Sequence, residues 1–158
     1  MSLDQICNKA LEELFKGYLE NPGGIYTIRE IVSQYGVDAQ VVGNYLVKHG
    51  WVKDQQFLVK DFGASINLAG IMKINPRYLK EKKDKVISTL GINGNPRSSI
   101  METLELPTKD FQFAFDIVKY LESLDLIEAQ FSFNEIIIQL KQKGLEYYQK
   151  NKADFLEL

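Results

Sequence analysis

Chemistry at a protein site needs nucleophilic, acid–base or metal-binding side chains, and this chain offers few of them. It has one histidine, His49, and one cysteine, Cys7, which fall in different predicted helices. This pair lacks the ligand spacing of a metal site, and no serine lies in the context of a nucleophile elbow. The acidic residues lie among lysines, as they do on solvated surfaces. We therefore expect no catalytic activity, no metal ion and no cofactor.

A different group of polar residues indicates contact with nucleic acid. Gln40, Asn44 and Val47 share one face of a helix predicted over residues 38–49. Glutamine and asparagine can make paired hydrogen bonds to adenine in the major groove, and Gly43 would allow close approach. Basic side chains near this helix are candidates for contacts with phosphates, namely Arg29, Lys48, Lys53 and Lys60. The alternative is that all of these are ordinary solvated positions.

The overall charge does not favour a nucleic-acid-binding protein. The chain has 19 basic and 21 acidic residues, and its estimated pI is 5.5, whereas DNA-binding domains are usually basic. Neither half of the chain is basic by itself. The most positive stretch contains Arg77, Lys80, Lys82, Lys83 and Lys85. Its Arg77, Lys80 and Lys83 are candidates for contacts with a DNA backbone, and the alternative is a solvated helix of mixed charge.

The same order of predicted elements occurs twice along the chain. A helix ends in "YL", two strand-like pieces follow, and a leucine and a glycine open a new helix, over residues 44–71 and again over 119–145. The first copy also predicts a helix-turn-helix, with Thr27 capping its first helix and Asp38 capping its second. Its strands are predicted over 51–59 and 65–68, with a turn at 60–63. Ahead of it, an amphipathic helix over 3–18 carries Cys7 as a core residue.

The second copy predicts a helix after Pro107 that is apolar over most of its circumference, a feature of helices that are buried on more than one side. The polar stripe of this helix contains Asp116, which would repel phosphate. Strands over 127–131 and 135–140 and a last helix over 141–158 follow. We assign this half to packing or to a homodimer contact, against the first half or a second copy, through Phe113, Phe115, Ile117 and Tyr120.

These segments resemble the winged-helix superfamily. The stretch "IIIQLKQKGLEYYQK" (136–150) is similar to the one that closes many bacterial winged-helix regulators, and "SINLAGIMKI" (65–74) is a shortened version of it. The resemblance implies a mainly α fold with small β-hairpins (α+β) in two tandem winged-helix units. The first spans 1–75, with a recognition helix at 38–49 and a wing at 51–68. The second spans 76–158 and is joined to the first by a helix at 76–90.

Two functions remain open from the sequence. The resemblance implies a DNA-binding transcriptional regulator that binds double-stranded DNA through the first unit, using Arg29, Gln40, Asn44, Lys48, Lys53 and Lys60. The acidic pI and the apolar second helix favour a non-catalytic protein-interaction scaffold. With no run of about 18 apolar residues and no signal sequence, we expect a cytoplasmic protein without a membrane partner. A single cysteine fits a reducing compartment.

Overall fold

A computed structural model describes residues 1–155 of the chain. The α+β class expected from the sequence is confirmed, with two compact units, Met1–Arg77 and Tyr78–Leu158. Residues 156–158 of the predicted last helix lie outside the described part. None of the helices in that part is both long and apolar enough to cross a lipid bilayer.

The first unit places four helices around a three-stranded antiparallel sheet. Its central strand is β3, and the sheet order is β1-β3-β2. The elements in chain order are α1 (Leu3–Glu20), β1 (Tyr26–Thr27), α2 (Arg29–Ser33), α3 (Ala39–Lys48), β2 (Val52–Leu58), β3 (Asp61–Ile66) and α4 (Leu68–Ile74). The predicted amphipathic helix is α1, and it contacts α2, α3, α4 and β3. Cys7 is fully buried on its apolar side, as expected, and burial raises the pKa of its thiol to about 11.

The start of α2 differs from the prediction. Thr27 pairs with Gly63 in β1, so it is a strand residue and not the capping residue of the helix. The position before α2 is Ile28, whose side chain makes no capping hydrogen bond. The Asp61 carboxylate of β3 accepts a hydrogen bond from the Arg29 backbone N–H at 3.0 Å instead. A residue 32 positions away therefore satisfies one of the free amides at this helix end.

The first hairpin is longer and tighter than the sequence suggested. Its turn is formed by Val59 and Lys60 alone, because Leu58 already pairs with Asp61 across the two strands. Lys60 adopts a φ of 57° in this turn. The predicted turn at 60–63 is wrong, since Phe62 lies inside β3 and is fully buried. Burial of the large apolar Phe62 side chain is favourable, and it accounts for the placement of Phe62 in the strand instead of the turn.

The second unit repeats this plan. Its elements are α5 (Pro76–Ile92), β4 (Ser98–Ser99), α6 (Ile100–Thr103), a 3-10 turn (Thr108–Asp110), α7 (Phe111–Ser123), β5 (Ile127–Phe131), β6 (Ile136–Leu140) and α8 (Gln142–Phe155). The sheet order is β4-β6-β5, which matches the order in the first unit. Both predicted strands of the second hairpin are confirmed. The helix predicted from Pro107 begins at Phe111, because the 3-10 turn precedes it.

A glycine occupies the same position in the last helix of each hairpin unit. A Cβ atom on Gly70 would lie 2.3 Å from the backbone oxygen of Trp51, just before β2. A Cβ atom on Gly144 would lie 2.2 Å from the backbone oxygen of Leu126, just before β5. In both units the helix therefore packs directly on the chain that enters the hairpin. The leucine–glycine pattern in the sequence marks this contact.

Candidate functional site

Helix α3 presents a narrow exposed face. Asp38 caps the helix, as predicted, by accepting a hydrogen bond from the Gln40 backbone N–H at 2.7 Å. The helix buries Val42 and Leu46 in the core of the first unit. Its exposed side chains at spacings of three and four residues are Val41, Asn44 and Lys48. The apolar spacing of the sequence predicts that Val41 is buried together with Val42, but Val41 is 51% exposed.

Gln40 is engaged with the first hairpin. Its side-chain Nε2 donates a hydrogen bond to the backbone oxygen of Leu58 at 2.5 Å. This contact holds the first turn of α3 against the end of β2. We therefore correct the expectation that the Gln40 amide stands free beside Asn44 to bind an adenine.

Gly43 also faces the protein interior. A Cβ atom at this position would lie 2.3 Å from the Phe62 ring, and Gly43 itself is buried. The expectation that Gly43 allows close approach to a DNA groove is therefore wrong. The glycine instead makes room for Phe62, which also contacts the Phe57 ring edge-on at a centroid distance of 5.0 Å. Phe62 thus joins α3 to both strands of the hairpin.

The basic candidates lie in a segment of the chain without net charge. Arg29, Lys48 and Lys60 are exposed, and Lys53 is half-buried. The same segment, residues 26–66, also contains four acidic residues, namely Glu30, Asp38, Asp54 and Asp61. A DNA-binding surface depends on an excess of positive charge for most of its affinity. Four positive and four negative side chains do not supply that excess.

The end of the first hairpin is apolar, which the sequence analysis missed. Phe57, Leu58 and Val59, here called the apolar tip, are 48%, 41% and 90% exposed. Single exposed apolar residues are common on protein surfaces, but a contiguous group commonly marks a contact site. Exposed Val41 lies next to Gln40, the residue that binds the end of β2. The sequence signal for this surface is the run "QQFLV", five consecutive residues without a charge.

Aromatic rings surround the other end of α3. His49 forms the C-terminal cap of the helix. Its ring stacks on the Trp51 ring at 4.6 Å and lies 4.3 Å from the Tyr45 ring. Lys73 Nζ lies 5.1 Å from the centre of the Trp51 ring. His49 is therefore held in an aromatic cluster that packs α3 against the start of the hairpin.

The interface residues predicted in the second unit are only partly accessible. Ile117 has no exposed surface and Phe113 is buried, so neither side chain is available to a second copy in this conformation. Phe115 and Tyr120 are half-buried. The Phe115 ring lies 5.6 Å from the Phe131 ring, and Lys119 Nζ lies over both rings.

Asp116 is also placed differently from the prediction. It was assigned to the exposed polar stripe of this helix, but it is buried. Its carboxylate accepts a hydrogen bond from the Gln112 amide at 3.0 Å. The expectation that Asp116 would face and repel a phosphate is therefore corrected.

The basic stretch at the start of α5 makes many contacts of its own. Lys80 Nζ lies 2.6 Å from the carboxylate of Asp84, which is buried and also accepts a hydrogen bond from the Tyr147 hydroxyl at 2.8 Å. Burial, together with that hydrogen bond, raises the pKa of Tyr147. Further contacts join Lys82 to the Tyr78 and Phe113 rings, Lys83 to the Tyr147 ring and Lys85 to Glu105. Arg77 is exposed. Lys80 and Lys83 therefore have partners within the second unit.

Neither a metal centre nor a known relative identifies the site. Within residues 1–155 no group of three His, Cys, Asp or Glu side chains is placed to hold a metal ion. Comparisons with protein-family models, with curated proteins and with solved structures give no match. The function has to be inferred from the surface of α3 and the first hairpin.

Proposed function

We propose that the chain is a non-catalytic protein-interaction module of two tandem winged-helix units, which binds its partner through the first hairpin and α3. Two features support the winged-helix assignment. Each unit has the order helix, short strand, helices, hairpin, helix, and each sheet has its last strand in the centre. We further propose a cytoplasmic location, which the lone thiol of Cys7 fits.

The observation that carries this proposal is the exposed apolar tip. Burial of apolar surface contributes about 25 cal/mol per Å² and is the main favourable term in most protein–protein association. Phe57, Leu58 and Val59 together offer such surface at the turn end of the hairpin. A phosphate group would make no favourable contact with these apolar side chains, whereas an apolar surface on a partner protein would.

The rigid support of the tip also favours a binding role. Gln40 holds the end of β2 to α3, and Phe62 fills the space between them. A contact surface that is already held in place loses less conformational entropy when a partner binds. The first hairpin is therefore a preorganised binding surface. Because that surface is apolar, its partner must present apolar side chains to it.

We test this proposal by the size of the tagged full-length chain in extracts of its source cells. The wild-type chain should elute in a complex larger than its own 18.1 kDa. Val59→Lys should release most of it, because a charge at this 90% exposed position opposes burial without disturbing the fold. The control Ile92→Lys, at a 57% exposed position in the second unit, should leave the complex intact. The proposal is contradicted if the wild-type chain elutes at its own size. It is also contradicted if both variants release the chain from the complex to the same extent.

A DNA-binding regulator is the second candidate. It is favoured by the exposure of Arg29 at the start of α2 and of Asn44 and Lys48 on α3, which are positions that reach DNA in a helix-turn-helix protein. The neutral charge of the surface and the engagement of Gln40 weaken it. Under either function, the dimer contact predicted in the second unit would be made by Phe115 and Tyr120, the two predicted residues that are half-buried.

Fluorescence anisotropy with random duplex DNA separates the two candidates. We expect no salt-dependent binding at about 50 mM salt and micromolar protein, because a neutral surface releases few counterions. A DNA-binding chain would instead lose affinity with a log–log slope of about −0.9 for each phosphate contacted. In that case Lys48→Ala would reduce the slope by about one, while Lys9→Ala on α1 would not change it.

A further inference from the structure

The loop after α5, residues 93–97, begins with an asparagine that precedes a glycine. The chain has nine asparagines, and the next residue is a glycine only at Asn93–Gly94. Three of the others precede proline, and five precede residues with larger side chains. The following residue matters because an asparagine side chain can react with the backbone nitrogen that comes after it.

The reaction is an intramolecular attack on the side-chain amide. The backbone nitrogen of the next residue bonds to Cγ, the Cγ–Nδ2 bond breaks, and ammonia leaves with the proton that the backbone nitrogen gave up. The product is a five-membered cyclic imide, which water opens at either carbonyl to give aspartate or isoaspartate. A following glycine hinders the attack least because it has no Cβ. A following proline has no N–H to lose and cannot react in this way.

The structure leaves this pair exposed and weakly held at the end of α5. Asn93 and Gly94 are both exposed. The Asn93 backbone nitrogen lies 3.3 Å from the Thr89 oxygen, and the Gly94 nitrogen lies 3.3 Å from the Gly91 oxygen. Both distances exceed the usual N–H···O range of about 2.7–3.2 Å. Because exposed segments with such weak bonds open at little free-energy cost, the attacking nitrogen is readily released from its acceptor.

We propose that Asn93 is a site of spontaneous deamidation, and that its isoaspartate form releases the loop after α5 from the end of β6. Water is the only co-reactant, and no enzyme is needed. The inference is independent of the proposed function, because the site lies in the second unit and the proposed contact surface lies in the first.

One side-chain hydrogen bond slows the reaction. Asn93 Nδ2 donates to the backbone oxygen of Thr89 at 2.8 Å, which keeps the side-chain amide on the helix. Cyclisation requires this bond to open, so that Cγ can approach the Gly94 nitrogen. A hydrogen bond at an exposed position has a small net strength, because water replaces both partners. The folded chain therefore reacts more slowly than an unstructured peptide of the same sequence, but only by a modest factor.

The consequence for the structure follows from Asn95, which ties the same loop to β6. Its side-chain Oδ1 accepts a hydrogen bond from the Leu140 N–H at 2.8 Å, and its Nδ2 donates to the Leu140 oxygen at 3.1 Å. Its backbone oxygen accepts a hydrogen bond from Gln139 Nε2 at 3.0 Å. In an isoaspartate at position 93 the backbone runs through the side chain and gains one atom. The longer connection from α5 therefore displaces Asn95 from β6.

Mass spectrometry of the purified full-length chain, incubated in warm and mildly alkaline buffer, tests the deamidation. Cleavage after Lys85 and after Arg97 gives one peptide that contains both Asn93 and Asn95. Asn93 should exchange its side-chain nitrogen for oxygen, while Asn95, which precedes Pro96, should stay intact in the same peptide. The rate should lie within about tenfold of the rate in the free synthetic peptide, because the loop opens at little cost. An Asn93 that stays intact in the folded chain while the free peptide reacts would overturn the proposal.

Hydrogen exchange followed by NMR tests the release of the loop. The isoaspartate form is separated from the fresh chain by ion exchange, since it carries one more negative charge. Its Leu140 N–H, whose acceptor is Asn95 Oδ1, should exchange several-fold faster than in the fresh chain. Asn93→Asp is the matched control, because it carries the same added charge on a backbone of normal length, and it should exchange more slowly than the isoaspartate form. Equal exchange at Leu140 in the isoaspartate form and in Asn93→Asp would overturn the release of the loop from β6.

Discussion

Replacement of Phe62 by alanine will lower the free energy of unfolding of the first unit by about 3–5 kcal/mol. Phe62 is fully buried and fills the space above Gly43, where α3 and the hairpin meet. Its removal leaves a cavity that neither element can close without losing contact with the other. The matched control is Phe57→Ala, which removes the same ring from a half-exposed position and should cost clearly less.

Trp51, the only tryptophan, lies in the first unit and reports its unfolding by fluorescence in denaturant. The midpoint should fall strongly for Phe62→Ala, with little change in the slope of the transition. Equal losses for Phe62→Ala and Phe57→Ala would mean that Phe62 does not hold the hairpin to α3. The hairpin would then be mobile relative to α3, and the apolar tip would not be held in one position.

Replacement of Gly144 by alanine will destabilise the second unit by about 3 kcal/mol, near the upper end of the usual cost of overpacking. The new methyl group would lie 2.2 Å from the backbone oxygen of Leu126, and backbone atoms have little freedom to move aside. Gly70→Ala should have a similar effect on the first unit, where the Trp51 oxygen lies at 2.3 Å.

Gly23→Ala is the control for the glycine prediction. The nearest atom to its added Cβ is the Asn21 side-chain oxygen at 3.9 Å, so the change should be neutral or slightly stabilising. Thermal unfolding followed by circular dichroism measures all three variants. If Gly70→Ala and Gly144→Ala unfold at the wild-type temperature, the helix after each hairpin does not pack as described. The structural repeat would then lose its closest point of similarity.

The order of helices and hairpins could be predicted because it depends on local patterns. The apolar stripe of α1, the cap of α3 by Asp38 and both strands of the second hairpin all lie in contiguous stretches of sequence. The sequence indicated a short strand at 25–26, which overlaps β1, but the two-residue strand β4 could not be recognised, since such a short segment has no period. Both strands form because a distant strand, β3 or β6, pairs with them.

The candidate site was predicted less well, because its side chains depend on contacts between distant segments. From the sequence, Gln40 was a candidate for hydrogen bonds to DNA bases, yet its partner is a backbone oxygen 18 residues away. From the sequence, Gly43 was expected to allow close approach of α3 to DNA, yet it makes room for the Phe62 ring. Val41 and Val42 are the same residue type side by side, and only the packing of α3 shows which is exposed. The run "QQFLV" was visible in the sequence, but its position on a free sheet edge was not.

Photo-crosslinking from position 59 tests the central claim most directly, that the apolar tip of the first hairpin is a protein contact surface. A photoreactive phenylalanine analogue replaces Val59 in the full-length chain in its source cells, with the same analogue at Ile92 as the control. We predict a discrete crosslinked protein from position 59 and none from position 92. Crosslinking from position 59 that is no greater than from position 92 would contradict the account.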